Sequence, residues 1–204
     1  MLPTLILAAA LAGLAPGLEQ VLERTPSDSL LAPLKRYEQA QHRGARAAEA
    51  AQVLGHLHLA RSRFRLAAEA FGRAAAGFDA DRKPEARYWA GVAWLAAGDP
   101  RRARAQFEAV ERDGGAREGL ATLGEGISWL RENQPEHAER VLARLVERRD
   151  AREALPGALE MLATAADRLG HAEQARRARE RLRREFPRSF EAHGAAPASP
   201  GTSS

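Results

Sequence analysis

One pattern returns four times at near-constant spacing, and it constrains this chain more than any other feature. A small residue falls at Gly55, Gly91, Gly126 and Ala163, with steps 91−55=36, 126−91=35 and 163−126=37. Alanine falls at Ala67, Ala103, Ala138 and Ala175 with the same three steps. Two columns holding one spacing identify an internal repeat. A third column runs Phe71, Phe107, Leu142 and Arg179, and a fourth runs His58, Trp94, Trp129 and Ala166, so the last unit departs most from the others.

Each unit reads as two amphipathic helices with a turn between them. In the stretch from Glu85 to Gly115, Tyr88, Gly91, Trp94 and Leu95 keep a helical period that sets small Gly91 beside bulky Trp94. Gly98 suits a helix end with positive φ, Asp99 can cap the next helix, and Pro100 sits where a first-turn N–H has no partner anyway. The second helix carries Ala103, Phe107 and Val110. The alanine lets the paired helices approach while Phe107 fills the space one turn on. Asn133-Gln134-Pro135 and Gly170-His171-Ala172 repeat the turn. No run alternates with period two and β-branched residues are scarce, so an all-α chain is expected. Such a hairpin cannot bury its own apolar stripe, and stacked neighbours must supply the core.

These residues resemble the tetratricopeptide repeat (TPR) family, whose units carry a Gly beside an aromatic, a mid-helix Ala, a Phe and a closing Pro. Gly91, Trp94, Ala103 and Phe107 match in one unit, Gly126, Trp129 and Ala138 in the next, and Ala175 with Pro187 in the last. The resemblance implies a right-handed α-α superhelix of about four helix–turn–helix repeats preceded by N-terminal helices. It also implies a non-enzymatic scaffold that holds a partner peptide or helix in a concave groove. The groove positions it implies are Gln52, His56 and Leu59, then Tyr88, Val92 and Leu95, then Leu123, Ile127 and Leu130, then Glu160, Thr164 and Asp167. That makes the middle of the groove apolar and its last wall acidic. The Asn and Lys with which some relatives clamp a C-terminal carboxylate are absent from these positions. The groove could equally receive the chain's own N-terminal helix or a second copy, giving a homo-oligomer. Leu182 followed by Phe186-Pro187-Arg188-Ser189 looks like the last repeat of Tol-Pal-associated periplasmic proteins, which would place the chain in the bacterial cell envelope.

Along the chain, residues 1–17 form an uncharged apolar run that reads as a signal peptide with small-residue cleavage sites ending at Ala12 or Ala15, as an uncleaved anchor, or as a packed N-terminal helix. A cleaved signal would make the protein periplasmic or secreted and its membrane contact transient; otherwise a cytoplasmic protein is expected. Residues 18–46 read as capping helices or a decayed half-repeat, with Leu30, Leu31, Leu34, Tyr37 and Ala40 as an apolar stripe. Residues 47–190 hold the repeats, at about 48–83, 84–118, 119–155 and 156–190, with Phe78 to Pro84 as an inserted polar turn. Residues 191–204 are small, polar and proline-bearing and read as a disordered tail.

Charge gives a second candidate surface. The chain carries a formal charge of +4, and from Ala172 to Phe190 seven Arg stand against three Glu, a local excess of 7−3=4. Arg176, Arg177, Arg183 and Arg184 are candidates for contact with an anion, which would suit a nucleic-acid-binding helical repeat; the plainer reading is a solvated helix face. A further alternative is an accessory subunit of an envelope assembly or secretion machine. There is no cysteine, so thiolate metal sites and cysteine nucleophiles are excluded. His56 and His58 point about 200° apart on a helix. Neither a nucleophile with its base nor a phosphate loop is present, so no cofactor, metal or catalytic residue is expected. Trp94 and Trp129 lie in the packing column, whereas Trp89 lies off it and reads as the free one.

Overall fold

The computed structural model describes residues 29–41 and 44–194, and all regular structure among them is helical. The helices are α1 (Leu31–Ala40), α2 (Ala45–Ala60), α3 (Phe64–Gly77), α4 (Lys83–Ala96), α5 (Pro100–Asp113), α6 (Glu118–Arg131), α7 (Pro135–Leu145), α8 (Leu155–Leu169), α9 (Ala172–Glu185) and α10 (Phe190–Gly194). The expected signal, residues 1–17, lies outside the described residues, as does the tail from 195. The segment read as disordered from 191 instead opens with α10.

The chain divides into two compact units, Met1–Arg117 and Glu118–Ser204. In the first, α1 packs on α2, α2 pairs with α3, α3 meets α4, and α4 pairs with α5. Leu30 and Leu34 of the leading segment are buried against Val53, Leu54 and Leu57 of α2. The predicted stripe stops short of Ala40, which is exposed because α1 ends there. In the second unit α6 pairs with α7, α7 meets α8, and α8 pairs with α9, around a core that includes Ala138, Leu142, Leu145, Leu159 and Leu182. Ala67, Ala103, Ala138 and Ala175 are at most 1% exposed, so the alanine column is where each second helix meets its neighbours.

All four hairpin turns have one geometry, and the hydrogen bonds explain it. The N–H of Arg63, Asp99, Gln134 and His171 donates to the carbonyl of His58, Trp94, Trp129 and Ala166 at 2.8–2.9 Å. The N–H of the preceding residue, Ser62, Gly98, Asn133 or Gly170, donates to Leu59, Leu95, Leu130 or Asp167 at 2.9–3.2 Å. This pair of bonds is the Schellman ending, which needs one left-handed residue. Gly98 (φ 78°) and Gly170 (φ 75°) supply it freely, Asn133 (φ 57°) tolerates it, and Ser62 (φ 54°) is held there by the turn. The Asp99 carboxylate then accepts the N–H of Arg102 at 3.0 Å, as expected of a cap.

The reason for the glycine column differs from the one the sequence suggested. A Cβ added at Gly91 would lie 2.6 Å from a ring carbon of Phe107, so Phe107, and not Trp94, demands the glycine. Gly55 stands in the same relation to Phe71, and Gly126 to Leu142, each at 2.6 Å. In the last hairpin both partners change together. Arg179 replaces the ring and turns its guanidinium to Asp167, and Ala163 with its Cβ fits.

Ion pairs tie the segment that leaves a hairpin back to that hairpin's first helix. Arg82, just before α4, donates to Glu49 on α2 at 2.8 Å; Arg117 reaches Glu85 on α4 at 2.7 Å; and in the second unit Arg148 reaches Glu118 on α6 at 2.6 Å. The inserted turn is therefore not simply polar: Phe78 is 5% exposed, with the Arg82 guanidinium 4.0 Å above its ring. The Glu49 side chain is only 9% exposed. Arg82→Met should keep the apolar cover on Phe78 yet remove the cation facing that carboxylate, costing about 1–2 kcal/mol. Glu49→Gln should cost less, because the Arg82 guanidinium it leaves behind is 42% exposed and stays solvated; denaturant melts of the two variants compare them directly.

Candidate protein-binding faces

In the first unit the groove positions divide. Gln52 and Leu59 on α2 and Tyr88, Val92 and Leu95 on α4 are half-buried, with part of each side chain at the surface. His56, expected among them, is 8% exposed and packs edge-on against Phe71 at 4.9 Å and Trp89 at 5.2 Å. Burial holds its pKa below the usual 6.5, against the opposing pull of the Glu85 carboxylate, so the ring is neutral at pH 7. His56 is a packing residue. Trp89 corrects the sequence reading in the opposite sense. Far from being free, it stacks on Phe71 at 6.3 Å, meets Tyr88 at 5.5 Å and donates its indole N–H to Glu85 at 2.7 Å.

Glu85 is the hub of this face. Besides the indole it accepts two hydrogen bonds from Arg117, at 2.7 and 3.3 Å, and the Arg117 guanidinium lies 5.4 Å over Tyr88. Tyr88 also touches Phe107 at 6.1 Å. The tyrosine is thus fixed from three sides, while Val92 and Leu95, one and two turns on, present apolar surface. Trp94 is half-buried, with Arg102 stacked 4.7 Å over its ring.

In the second unit Leu130 is 6% exposed and belongs to the core, which removes it from the groove. Its carbonyl accepts a hydrogen bond from Arg168 at 2.8 Å. Leu123 is half-buried and pressed by α8, since a Cβ at Gly157 would stand 2.9 Å from Leu123 Cδ2. Ile127 is half-buried. Trp129 stacks on His137 at 4.5 Å and donates to Glu125 at 3.0 Å.

The expected acidic wall on α8 is largely neutralised. Asp167 accepts two hydrogen bonds from Arg179. The Thr164 hydroxyl donates to the Glu160 carbonyl at 3.0 Å. Burial, then the nearby Glu191 of α10, pushes the Glu160 carboxyl above its usual range. The Arg-rich helix is also internally paired. Arg176 binds Glu173 at 2.7 Å, Arg184 binds Glu185 at 3.0 Å, and Arg181 spans Glu185 and Glu147 at 3.1 and 3.2 Å. All four candidate anion contacts are exposed on this helix, and Arg176 and Arg184 are engaged in this way.

No protein-family model matches this chain, and no curated protein matches it. Solved structures do. A crystal structure of a kinesin light chain from Podosopora anserina, built of nearly identical TPR-like repeats, superposes with a TM-score of 0.59 at 16% identity, covering 84% of this chain and 90% of that one. A single-substitution variant of the same protein gives a TM-score of 0.60 at 15% identity, with the same coverage. The chain has a TPR-like repeat fold.

Proposed function

We propose that this chain is a non-enzymatic protein-interaction scaffold of the TPR type, acting in a bacterial cell envelope. The observation that supports it is the character of the first helices. Val92 and Leu95 on α4, and Ile127 on α6, keep apolar side chains partly in water while charges crowd the second helices. A helix or extended segment with its own apolar stripe is the ligand such faces fit. Tyr88, fixed by Glu85 and Arg117, is a preorganised aromatic anchor of the kind that dominates binding energy.

Affinity capture with the full chain, compared with Val92→Arg and Ile127→Arg, tests the reading. A partner that depends on these faces should lose at least about tenfold in recovery with either variant, because a guanidinium must be buried without a counter-charge. Arg177→Glu should leave recovery unchanged, and thermal melts should show all three variants folded. Partners retained by both face variants would remove the scaffold reading. Capture abolished by nuclease and by modest salt would transfer it to nucleic acid. The envelope assignment rests on residues 1–17. Cell fractionation with N-terminal sequencing tests it, and an unprocessed chain confined to the cytoplasm would overturn it.

A further inference from the structure

His56 sits inside the cluster that fixes Tyr88, and it is the member whose charge changes closest to neutral pH. It is 8% exposed, lies edge-on to Phe71 of α3 and Trp89 of α4, and makes no hydrogen bond among the described residues. Such ring contacts suit a neutral imidazole, whereas an imidazolium needs an acceptor. The charge that acts on the ring comes from Glu85 of α4. From α3 it meets the uncharged Phe71. The cations Lys35, Arg61, Arg63 and Arg73 act on His58, about 200° around the same helix, and not on His56.

The two oxygens of Glu85 are unequally engaged. Oε2 accepts the Nε–H of Arg117 at 2.7 Å, while Oε1 accepts the Trp89 indole at 2.7 Å and a longer second bond from Arg117 at 3.3 Å. Oε1 is thus the oxygen on the Trp89 side, where His56 also packs. A proton on His56 makes a buried cation, and this carboxylate is the counter-charge within its reach. The imidazolium then competes with Arg117, and the longer bond yields first. Arg117 is no longer gripped by two bonds at its place 5.4 Å over Tyr88.

We propose that His56 is a pH-sensitive latch on the protein-binding face of the first unit: Glu85 and Arg117 hold Tyr88 while the imidazole is neutral and release it when the imidazole is protonated. The inference rests on Tyr88 being a binding anchor and adds regulation to that reading, since partners held at neutral pH are let go on acidification. The direction follows from burial, which keeps His56 below its usual 6.5 against the pull of Glu85. The holding arrangement is complete above 6.5 and is lost as pH falls below it.

Two-dimensional ¹H–¹⁵N NMR of the full chain reads the latch without a partner. Trp89→Phe, Trp94→Phe and Trp129→Phe assign the three indole N–H signals, and Arg117→Lys assigns the Arg117 Nε–H. From pH 7.5 to 5.0 the Trp89 and Arg117 signals should move together, with one midpoint below 6.5, while Trp94, whose ring meets Arg102, serves as reference. His56→Gln, checked for folding by circular dichroism, should hold both signals still. The carbon-bound ring proton of His56 in the unaltered chain, identified by its proximity to Trp89, should give the same midpoint, so the comparison stands even where the variant unfolds. Recovery of a captured partner should fall at least about fivefold from pH 7.5 to 5.5 with the unaltered chain and less than about twofold with His56→Gln. Trp89 and Arg117 signals that stay fixed while His56 titrates, or that move equally in His56→Gln, would overturn the latch. Signals that move as expected beside a recovery indifferent to pH would overturn its control of binding. Tyr88→Ala then separates the causes, because recovery unchanged by that variant puts the fault in Tyr88 as anchor and not in His56.

Discussion

Phe107→Ala is expected to cost about 3–5 kcal/mol, and Gly91→Ala, on the facing helix, about 1–2 kcal/mol despite its gain in helix propensity. Phe107 is 1% exposed and among the largest fully buried side chains. A Cβ at Gly91 would meet three atoms of its ring at 2.6, 2.8 and 2.9 Å, so the buried ring must shift to admit it. With the ring gone the new methyl falls into vacated space. The double variant should therefore be more stable than the sum of the single losses by about 1–3 kcal/mol. Gly72 is the control. It lies on the exposed side of α3 with nothing within 4 Å of an added Cβ, so Gly72→Ala should stabilise by about 0.5–1 kcal/mol. Urea melts give all four values, and strict additivity of the Gly91 and Phe107 losses would show that the two residues do not share the contact assigned to them.

The repeat was legible because small residues at a fixed interval leave a trace in one dimension. Where each side chain points across a hairpin leaves less. The glycine column could be found by spacing, yet its partner could not: Trp94 is three residues from Gly91 and Phe107 sixteen, and only the folded turn brings Phe107 onto the glycine. The first turn escaped notice because Ser62 stands where the others have Gly or Asn, and its identity with them lies in backbone hydrogen bonds. His56 and Trp89 were misplaced for a related reason. Their ring contact joins α2 to α4, and no period within one helix reports it. The ion pairs that close the hairpins did leave a signal. Glu49, Glu85 and Glu118 are separated by 85−49=36 and 118−85=33, and Arg82, Arg117 and Arg148 by 117−82=35 and 148−117=31. Two charge columns that shorten their step together predict such a pairing.

The same logic gives a second large effect, in the second unit. Ala138→Asp should cost about 3–5 kcal/mol at pH 7, a large share of the stability of a small domain. Ala138 has no exposed surface and sits in a core whose other members include Leu142, Leu145 and Leu159. An aspartate there has neither solvent nor an opposite charge among those neighbours, and its pKa must rise on folding. The sign of the pH response follows. Below the unfolded pKa of about 3.9 the carboxyl is neutral in both states and only its volume and polarity are felt; as pH rises above that value the penalty grows until the folded pKa is passed. The deficit relative to wild type should thus shrink on going from pH 7 to pH 4. Ala138→Asn, of the same size and without charge, should show a deficit that does not change with pH. Ala105→Asp, on the exposed side of α5, should stay within about 0.5 kcal/mol of wild type. Denaturant melts at the two pH values separate these cases. A tolerated aspartate at 138 would mean that the alanine column faces water, and stacked hairpins could not then be what holds this chain folded.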